Sequence, residues 1–168
     1  MTVESNENYR KLHNSGIHSC FGCSPSNKLG LQMKLFTDEK AVYSWLSVPD
    51  YLGGWKNIVH GGIVSTILDE IMGWAGLYFL KKITLTNTMT VDFIRAVLVG
   101  EKLKAEGRVT DFDGKHNALV EGFLYNEKNV LCAKAKGKFT ALSPKLAKRL
   151  GLMTDDQIRD FFEPLMNQ

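Results

Sequence analysis

His60-Gly61-Gly62-Ile63-Val64-Ser65-Thr66-Ile67-Leu68-Asp69-Glu70-Ile71-Met72-Gly73-Trp74-Ala75-Gly76-Leu77-Tyr78-Phe79-Leu80 is a near-continuous apolar run with two glycines at its start. Asp69 and Glu70 are its only carboxylates, and Lys81 and Lys82 close it. Cations at the last turn suit the negative end of a helix macrodipole, so the run predicts one long helix. Its apolar character extends nearly all round, which predicts burial rather than a surface position. A central Asp-Glu pair is costly in lipid and the uncharged part is short, so no membrane span is expected.

One stripe interrupts the apolar surface. Gly62, Thr66, Asp69, Gly73 and Gly76 follow one another at helical steps and share a face. Gly73 and Gly76 each cost about 1 kcal/mol of helix stability relative to Ala. Either a closely packed helix or a ligand approaching Asp69 accounts for such a face. The pattern alone leaves both open, with a backbone donor to Asp69 as the structural version.

The stretch resembles the helix motif of hotdog-fold thioesterases of the PaaI-like acyl-CoA thioesterase group. The resemblance rests on His60-Gly61-Gly62, then Leu68-Asp69, then Gly73-Trp74-Ala75, with the His-to-Asp spacing preserved. Upstream, Cys20-Phe21-Gly22-Cys23-Ser24-Pro25-Ser26-Asn27-Lys28-Leu29-Gly30-Leu31 is similar to a segment found in a subgroup of the same family. The resemblance covers residues 20–142. It implies an α+β hotdog fold, a curved antiparallel sheet wrapped around one long central helix. It also implies hydrolysis of an acyl-CoA or other acyl thioester, and a homo-oligomer, dimeric or tetrameric.

Outward from the helix, Leu31 to Phe36 and Ala41 to Val48 alternate about the turn Thr37-Asp38-Glu39-Lys40 and read as a hairpin. Pro49 to Val59, with Gly53-Gly54, is a loop feeding the helix N-terminus. Four strand-like runs follow, Thr84 to Val97, Glu101 to Asp111, His116 to Tyr125 and Val130 to Leu142. Asp113-Gly114 and Asn126 to Asn129 mark turns, and the four runs predict an antiparallel meander. Pro144 ends the last strand. Thr154-Asp155-Asp156-Gln157 reads as a capping box for a C-terminal helix to about Met166, with Ile158, Phe161, Phe162 and Leu165 on its docking face. The expected organisation is an N-terminal arm at 1–19, with a short helix from Asn6 to Asn14, the hotdog domain at 20–142 and a helical extension at 143–168.

The 168 residues suit one domain with a sizeable core. A 44% hydrophobic and 23% charged composition excludes a disordered chain. The net charge of +3 can favour a phosphate-bearing ligand but supplies no basic stripe, so no nucleic acid is expected. The polar start, Met1 to Lys11, has no signal pattern, and a cytoplasmic protein is expected. Three cysteines, Cys20, Cys23 and Cys132, do not make a disulfide framework. The Cys20-x-x-Cys23 spacing invites a zinc or redox reading. There is no second pair, the nearby His13 and His18 are irregularly placed, and a turn follows, so a packed loop is favoured and no metal or cofactor is assigned.

A thioester hydrolase needs an oxyanion donor, a base or nucleophile, and a slot for the thiol. A helix N-terminus offers unpaired N–H groups, and Gly61 and Gly62 admit a ligand close to that backbone. The resemblance favours Gly61 as donor and Gly62 second. Asp69 lies two turns away, about 10 Å along the axis. The resemblance resolves that separation by a dimer in which Asp69 of one copy, as general base or nucleophile, faces the donor of the other. Glu70 is the reserve carboxylate, or else a partner for Lys or Arg at the sheet edge. His60 either bonds the thioester or fixes the loop. The first role would give a pH-rate limb near about 6 to 7.

Relatives in the family place Asn or Gln six residues before the His, where this chain has Gly54. Asn57 is the candidate to compensate. Relatives also place Ser or Thr early in the next strand, matched here by Thr86, with Thr84 and Thr88 as alternatives. Lys115, His116 and Arg95 are candidates for coenzyme A phosphates, and Trp55, Ile63, Met72 and Phe93 for the acyl pocket. The principal alternative is a non-catalytic acyl-CoA or lipid-binding hotdog protein, which has no need of Asp69. A hydratase fits less well, since its Asp and His stand five residues apart, unlike His60 and Asp69. A scaffold protein remains a third reading.

Overall fold

The run from Gly61 to Leu80 forms a single 20-residue helix, α1, in the computed structural model, which describes residues 8–168. His60 caps its start, and Lys81 ends it in the left-handed conformation at φ 54°. Seven strands surround it among the described residues: β1 (Arg10–Lys11), β2 (Phe36–Thr37), β3 (Val42–Ser47), β4 (Ile83–Phe93), β5 (Lys102–Phe112), β6 (Asn117–Tyr125) and β7 (Leu131–Leu142). They make one antiparallel sheet in the order β1-β2-β3-β5-β6-β7-β4. A curved sheet around one helix, with a short C-terminal helical segment, is the hotdog architecture expected from the sequence.

The helix sits close to the sheet because a row of small residues runs beneath it. Gly107 on β5 is directly opposite Gly122 on β6, and Gly122 is opposite Ala135 on β7. A Cβ at Gly107 would fall 2.3 Å from the Ile71 carbonyl oxygen, and one at Gly122 would fall 2.9 Å from Met72 Cγ. Ile67, Leu68, Ile71, Met72 and Ala75 fill this seat and are fully buried. Burying each of the four larger of these side chains contributes about 1.5–3 kcal/mol.

Several expectations are corrected. The four-strand meander does not form. Strands β5, β6 and β7 are consecutive neighbours, but β4 lies on the far side of β7 and β5 pairs with β3. The reason is the segment 94–101, which is a crossing rather than a hairpin turn. Its backbone pairs instead with the loop before α1, through Val59 N–H to Val97 O at 2.9 Å and Val99 N–H to Asn57 O at 3.1 Å. For the same reason β4 stops at Phe93, not Val97. Of the expected strand at 31–36, only Phe36 falls within a strand, because Leu31 and Met33 donate to the Cys20–Gly30 loop, at Phe21 O and Gly22 O. The helix expected at 6–14 lies partly outside the described residues. Within them Arg10–Lys11 is a strand against β2.

The helix is not buried on all sides. Its small-residue stripe stays open: Gly62 is exposed, Thr66, Asp69 and Gly73 are partly so, and a Cβ at Gly73 would meet nothing within 4 Å. Gly76 is the packed member, since a Cβ there would lie 2.8 Å from Thr84 Cγ2 on β4. By length and composition α1 is apolar enough to cross a membrane, yet here 56% of its most apolar window is buried against the fold.

After β7 the chain makes a short helix, α2 (Pro144–Arg149), and then the segment opened by Thr154. The expected capping box is present, with Thr154 Oγ1 accepting from Gln157 N and Gln157 Oε1 accepting from Thr154 N. The segment is broken by a π-helical turn at Ile158–Phe162. Phe162 and Leu165 are buried in the core, and the Phe161 ring meets Trp74 of α1 edge-on at 5.7 Å.

Candidate active site

Asp69 projects from the open stripe of α1, and Thr86 of β4 reaches it. The Thr86 hydroxyl donates to Asp69 Oδ1 at 2.7 Å. Two features bring them together. Thr84 Oγ1 donates to Gly73 O at 3.0 Å, tying β4 to the helix, and the register of β4 on β7 shifts between Thr86 and Thr88. A bulge of this kind re-aims side chains beside it. Only Oδ1 is engaged by the protein among the described residues, so Oδ2 is free to accept from water or to attack a carbon.

A cleft of about 310 Å³ opens beside this pair, large enough for a small ligand group. Gly73, Trp74, Leu77 and Glu70 line it from α1, and Ile83, Thr84 and Thr86 from β4. His18, Cys20 and Cys23 enter from the loop, and Leu152, Met153, Gln157 and Phe161 from the C-terminal segment. Met72, expected at the acyl pocket, instead faces the sheet and is fully buried.

Glu70 is not paired to Lys or Arg at the sheet edge. It turns into the fold, where Trp74 Nε1 donates to its Oε1 at 3.1 Å and Cys20 Sγ lies 3.2 Å from its Oε2. Burial pushes the Glu70 carboxyl up, to about 8. Hydrogen bonding from Cys23 and from backbone N–H groups holds the Cys20 thiol below its ordinary value, while the same contact and burial raise Cys23.

The N-terminus of α1 forms a second cavity, of about 390 Å³, lined by Gly54, Trp55, His60, Gly61, Phe93 and Arg95 among others. Here His60 acts on the backbone: its Nδ1 accepts from Gly62 N at 2.9 Å. The Gly62 N–H is therefore engaged, whereas the Gly61 N–H has no partner among the described residues. Replacing His60 by Ala removes this cap and is expected to destabilise the fold by about 0.5–2 kcal/mol, with His60→Asn restoring most of it. Urea unfolding of the two variants checks this, and equal midpoints for His60→Ala and wild type would mean the cap is without effect.

Gly54 departs from the family pattern for a local reason. A Cβ there would lie 3.3 Å from His60 Cα, so the loop is folded against the histidine with little room for a long side chain. Asn57 is exposed with φ 60°, a conformation Asn tolerates, and lies outside both cavities. Lys115 and His116 occupy the β5–β6 turn, where their N–H groups donate to Asp113 Oδ1 at 2.8 Å each. That turn is separated from β4 by β7 and lines neither cavity. Arg95 is the expected cation that does reach the helix N-terminus, with Nη1 donating to Leu131 O at 3.0 Å. The structure thus brings Asp69 with Thr86, and His60 with Gly61 and Arg95, in two separate places. His18, Gln157 and Phe161 were not anticipated near Asp69. The docking face read for the C-terminal helix was the one sequence signal for Phe161.

Residues 56–133 match the family model described as the thioesterase superfamily. An uncharacterized protein of Schizosaccharomyces pombe is 34% identical over 94 residues, 52% of this chain and 53% of that one. The chain thus spans about half the length of the curated relative it matches. Among solved structures, the Escherichia coli PaaI protein from the phenylacetic acid degradation operon superposes with a TM-score of 0.62 at 18% identity, covering 67% of this chain and 81% of that one. A Streptococcus mutans protein bound to acetyl-CoA gives 0.59 at 21% identity, covering 66% and 89%. At these identities the likeness to both structures is one of fold. Residues 56–133, a little under half of the chain, are thus similar to the thioesterase superfamily, and the architecture is the hotdog fold shared with both structures.

Proposed function

We propose that the protein hydrolyses acyl-CoA thioesters in a homodimer, with Asp69 of one copy acting on a carbonyl held at the helix N-terminus of the other. The observation that carries this reading is the Asp69 carboxylate, held by Thr86 on one oxygen only, on a helix face left open by Gly73. The Gly61 N–H supplies the oxyanion donor and Arg95 a cation for phosphate. The acetyl-CoA held by the S. mutans protein supports the class of ligand.

The free edge of β4 supports the dimer. It is an 11-residue strand paired on one side only, by β7, among the described residues, and most of its residues are exposed. A long open edge is a template for another strand. Thr86 and Phe93 lie symmetrically about the midpoint of Met89 and Thr90. A two-fold axis there pairs Phe93 of one copy with Thr86 of the other. Phe93 sits against Gly61, 3.6 Å from where its Cβ would be, and Thr86 holds Asp69. The same symmetry that closes the sheet therefore joins the two half-sites.

Asp69 then activates a water for attack on the thioester carbon, or attacks it directly. The carbonyl oxygen gains charge against the Gly61 N–H, and the intermediate collapses with expulsion of the coenzyme A thiolate, giving the free acid directly or, after direct attack, an Asp69 mixed anhydride that water then hydrolyses. Thiol release from short, medium, long and aromatic acyl-CoAs tests this. Saturable turnover of at least one class is expected. Tight acyl-CoA binding without turnover of any would make the protein a ligand-binding hotdog protein instead.

A further inference from the structure

The Cys20-x-x-Cys23 loop has a partner that its sequence does not announce. Between Lys11 and Phe36 the chain forms no helix or strand. Irregular segments this long within compact folds are uncommon and need something to fix them. Here the loop closes on α1 at Glu70. The sulfurs of Cys20 and Cys23 and a carboxylate oxygen of Glu70 all lie within 4.8 Å of one another. Tetrahedral zinc with bonds of about 2.3 Å to sulfur and 2.0 Å to oxygen places its ligands roughly 3.5–3.8 Å apart. Cys20 Sγ and Glu70 Oε2 already stand 3.2 Å apart, so the set reaches that spacing with shifts of roughly 1 Å.

The surroundings are those of a built site. The Trp74 indole holds Glu70 Oε1, which leaves Oε2 aimed at the sulfurs. Ligand carboxylates are commonly oriented by such an outer hydrogen bond. Gly22, between the cysteines, is moulded on the carboxylate: a Cβ there would fall 2.3 Å from Glu70 Oε2. The N–H groups of Gly22 and Cys23 face the Cys20 sulfur, an arrangement suited to a thiolate, and Ser24 N–H closes the turn on Cys20 O at 3.2 Å. Among the described residues no Lys or Arg forms an ion pair with Glu70. Two sulfurs and a carboxylate thus converge without a cation to balance them.

We propose that Cys20, Cys23 and Glu70 bind a divalent, borderline-soft transition-metal ion of the zinc type, with a fourth coordination position open to the cleft beside Asp69. The ion clips the irregular loop to the central helix. Its binding sends the protons of the two thiols and of the carboxyl group into solvent. The open position is that of a three-ligand zinc site, filled by water in the absence of another donor. This site stands independently of the thioesterase reading, because it uses neither Asp69 nor the helix N-terminus.

Chelator-stripped, fully reduced protein titrated with Co²⁺ alone tests the proposal. A tetrahedral thiolate site gives a sulfur-to-cobalt charge-transfer band and visible ligand-field bands that saturate at one equivalent per chain, and Zn²⁺ bleaches them. Cys20→Ser and Cys23→Ser should lose the charge-transfer intensity in steps, while Cys132→Ser keeps it. Glu70→Gln preserves the side-chain volume and the Trp74 bond, and should weaken Co²⁺ affinity by at least about tenfold. Far-UV circular dichroism confirms that each variant is folded. Absence of the bands in the wild type, their survival in both single cysteine variants, or unchanged affinity in folded Glu70→Gln would each overturn the assignment.

Discussion

Asp69→Asn is expected to lower thiol release from acyl-CoA by about 10²-fold or more while leaving the protein folded. General-base or nucleophilic groups of this kind contribute about 10²–10⁴-fold. The variant isolates that contribution. Asn keeps an oxygen for the Thr86 hydroxyl, so the one hydrogen bond recorded at Asp69 survives. Asp69 is only partly buried and makes no ion pair among the described residues, so little else depends on its charge. A loss of activity with an unchanged unfolding midpoint assigns the effect to chemistry. Turnover at the wild-type rate would remove Asp69 from the mechanism and turn attention to Glu70.

The second large effect is on the fold itself. Gly107→Ala should destabilise the protein by about 3 kcal/mol, the upper part of the usual range for overpacking. Most overpacked sites relax by moving a side-chain end. This one cannot, because the new methyl group would stand 2.3 Å from the backbone oxygen of Ile71 and 2.8 Å from its carbonyl carbon. Relief requires α1 to lift from β5 or to slide along it. Lifting opens space around Ile67, Leu68, Ile71 and Met72, all fully buried. Guanidinium unfolding measures the loss. A change below about 1 kcal/mol would mean that the helix is not held on the sheet at this point. Because α1 also carries Asp69 and the Gly61 donor, any shift should show in turnover as well.

The helix and its stripe were legible because their signals are local. An apolar run bounded by glycines and lysines needs no partner to be read, and α1 begins and ends within one residue of the expected limits. Thr86 was singled out by a family resemblance, but its bond to Asp69 and the bulge that makes that bond geometrically possible were not visible beforehand. Sheet order was misread where it depends on tertiary contacts. Nothing in residues 94–101 states that their hydrogen bonds go to 57–59 rather than to a hairpin partner. The opposition of Gly107 and Gly122 is likewise a property of register, and register emerges only once strands pair. The ion-pair reading of Glu70 failed for a similar reason. A glutamate on a helix resembles a surface ion-pair partner until the loop at Cys20 folds over it.

The most direct measurement is thiol release by a co-expressed pair of inactive variants, Asp69→Asn with Gly61→Pro. Proline at Gly61 removes the N–H donor at the first helical position, where proline is well tolerated. His60, with φ −59° and ψ 136°, already has the backbone geometry that precedes proline. A site shared between copies is intact once in every mixed dimer, since one chain keeps Gly61 and the other keeps Asp69. Random pairing makes half of the dimers mixed, with one working site of two, so roughly a quarter of wild-type activity should return. A mixture no faster than its inactive parents, with mixed dimers demonstrated, would contradict a catalytic site built across the interface.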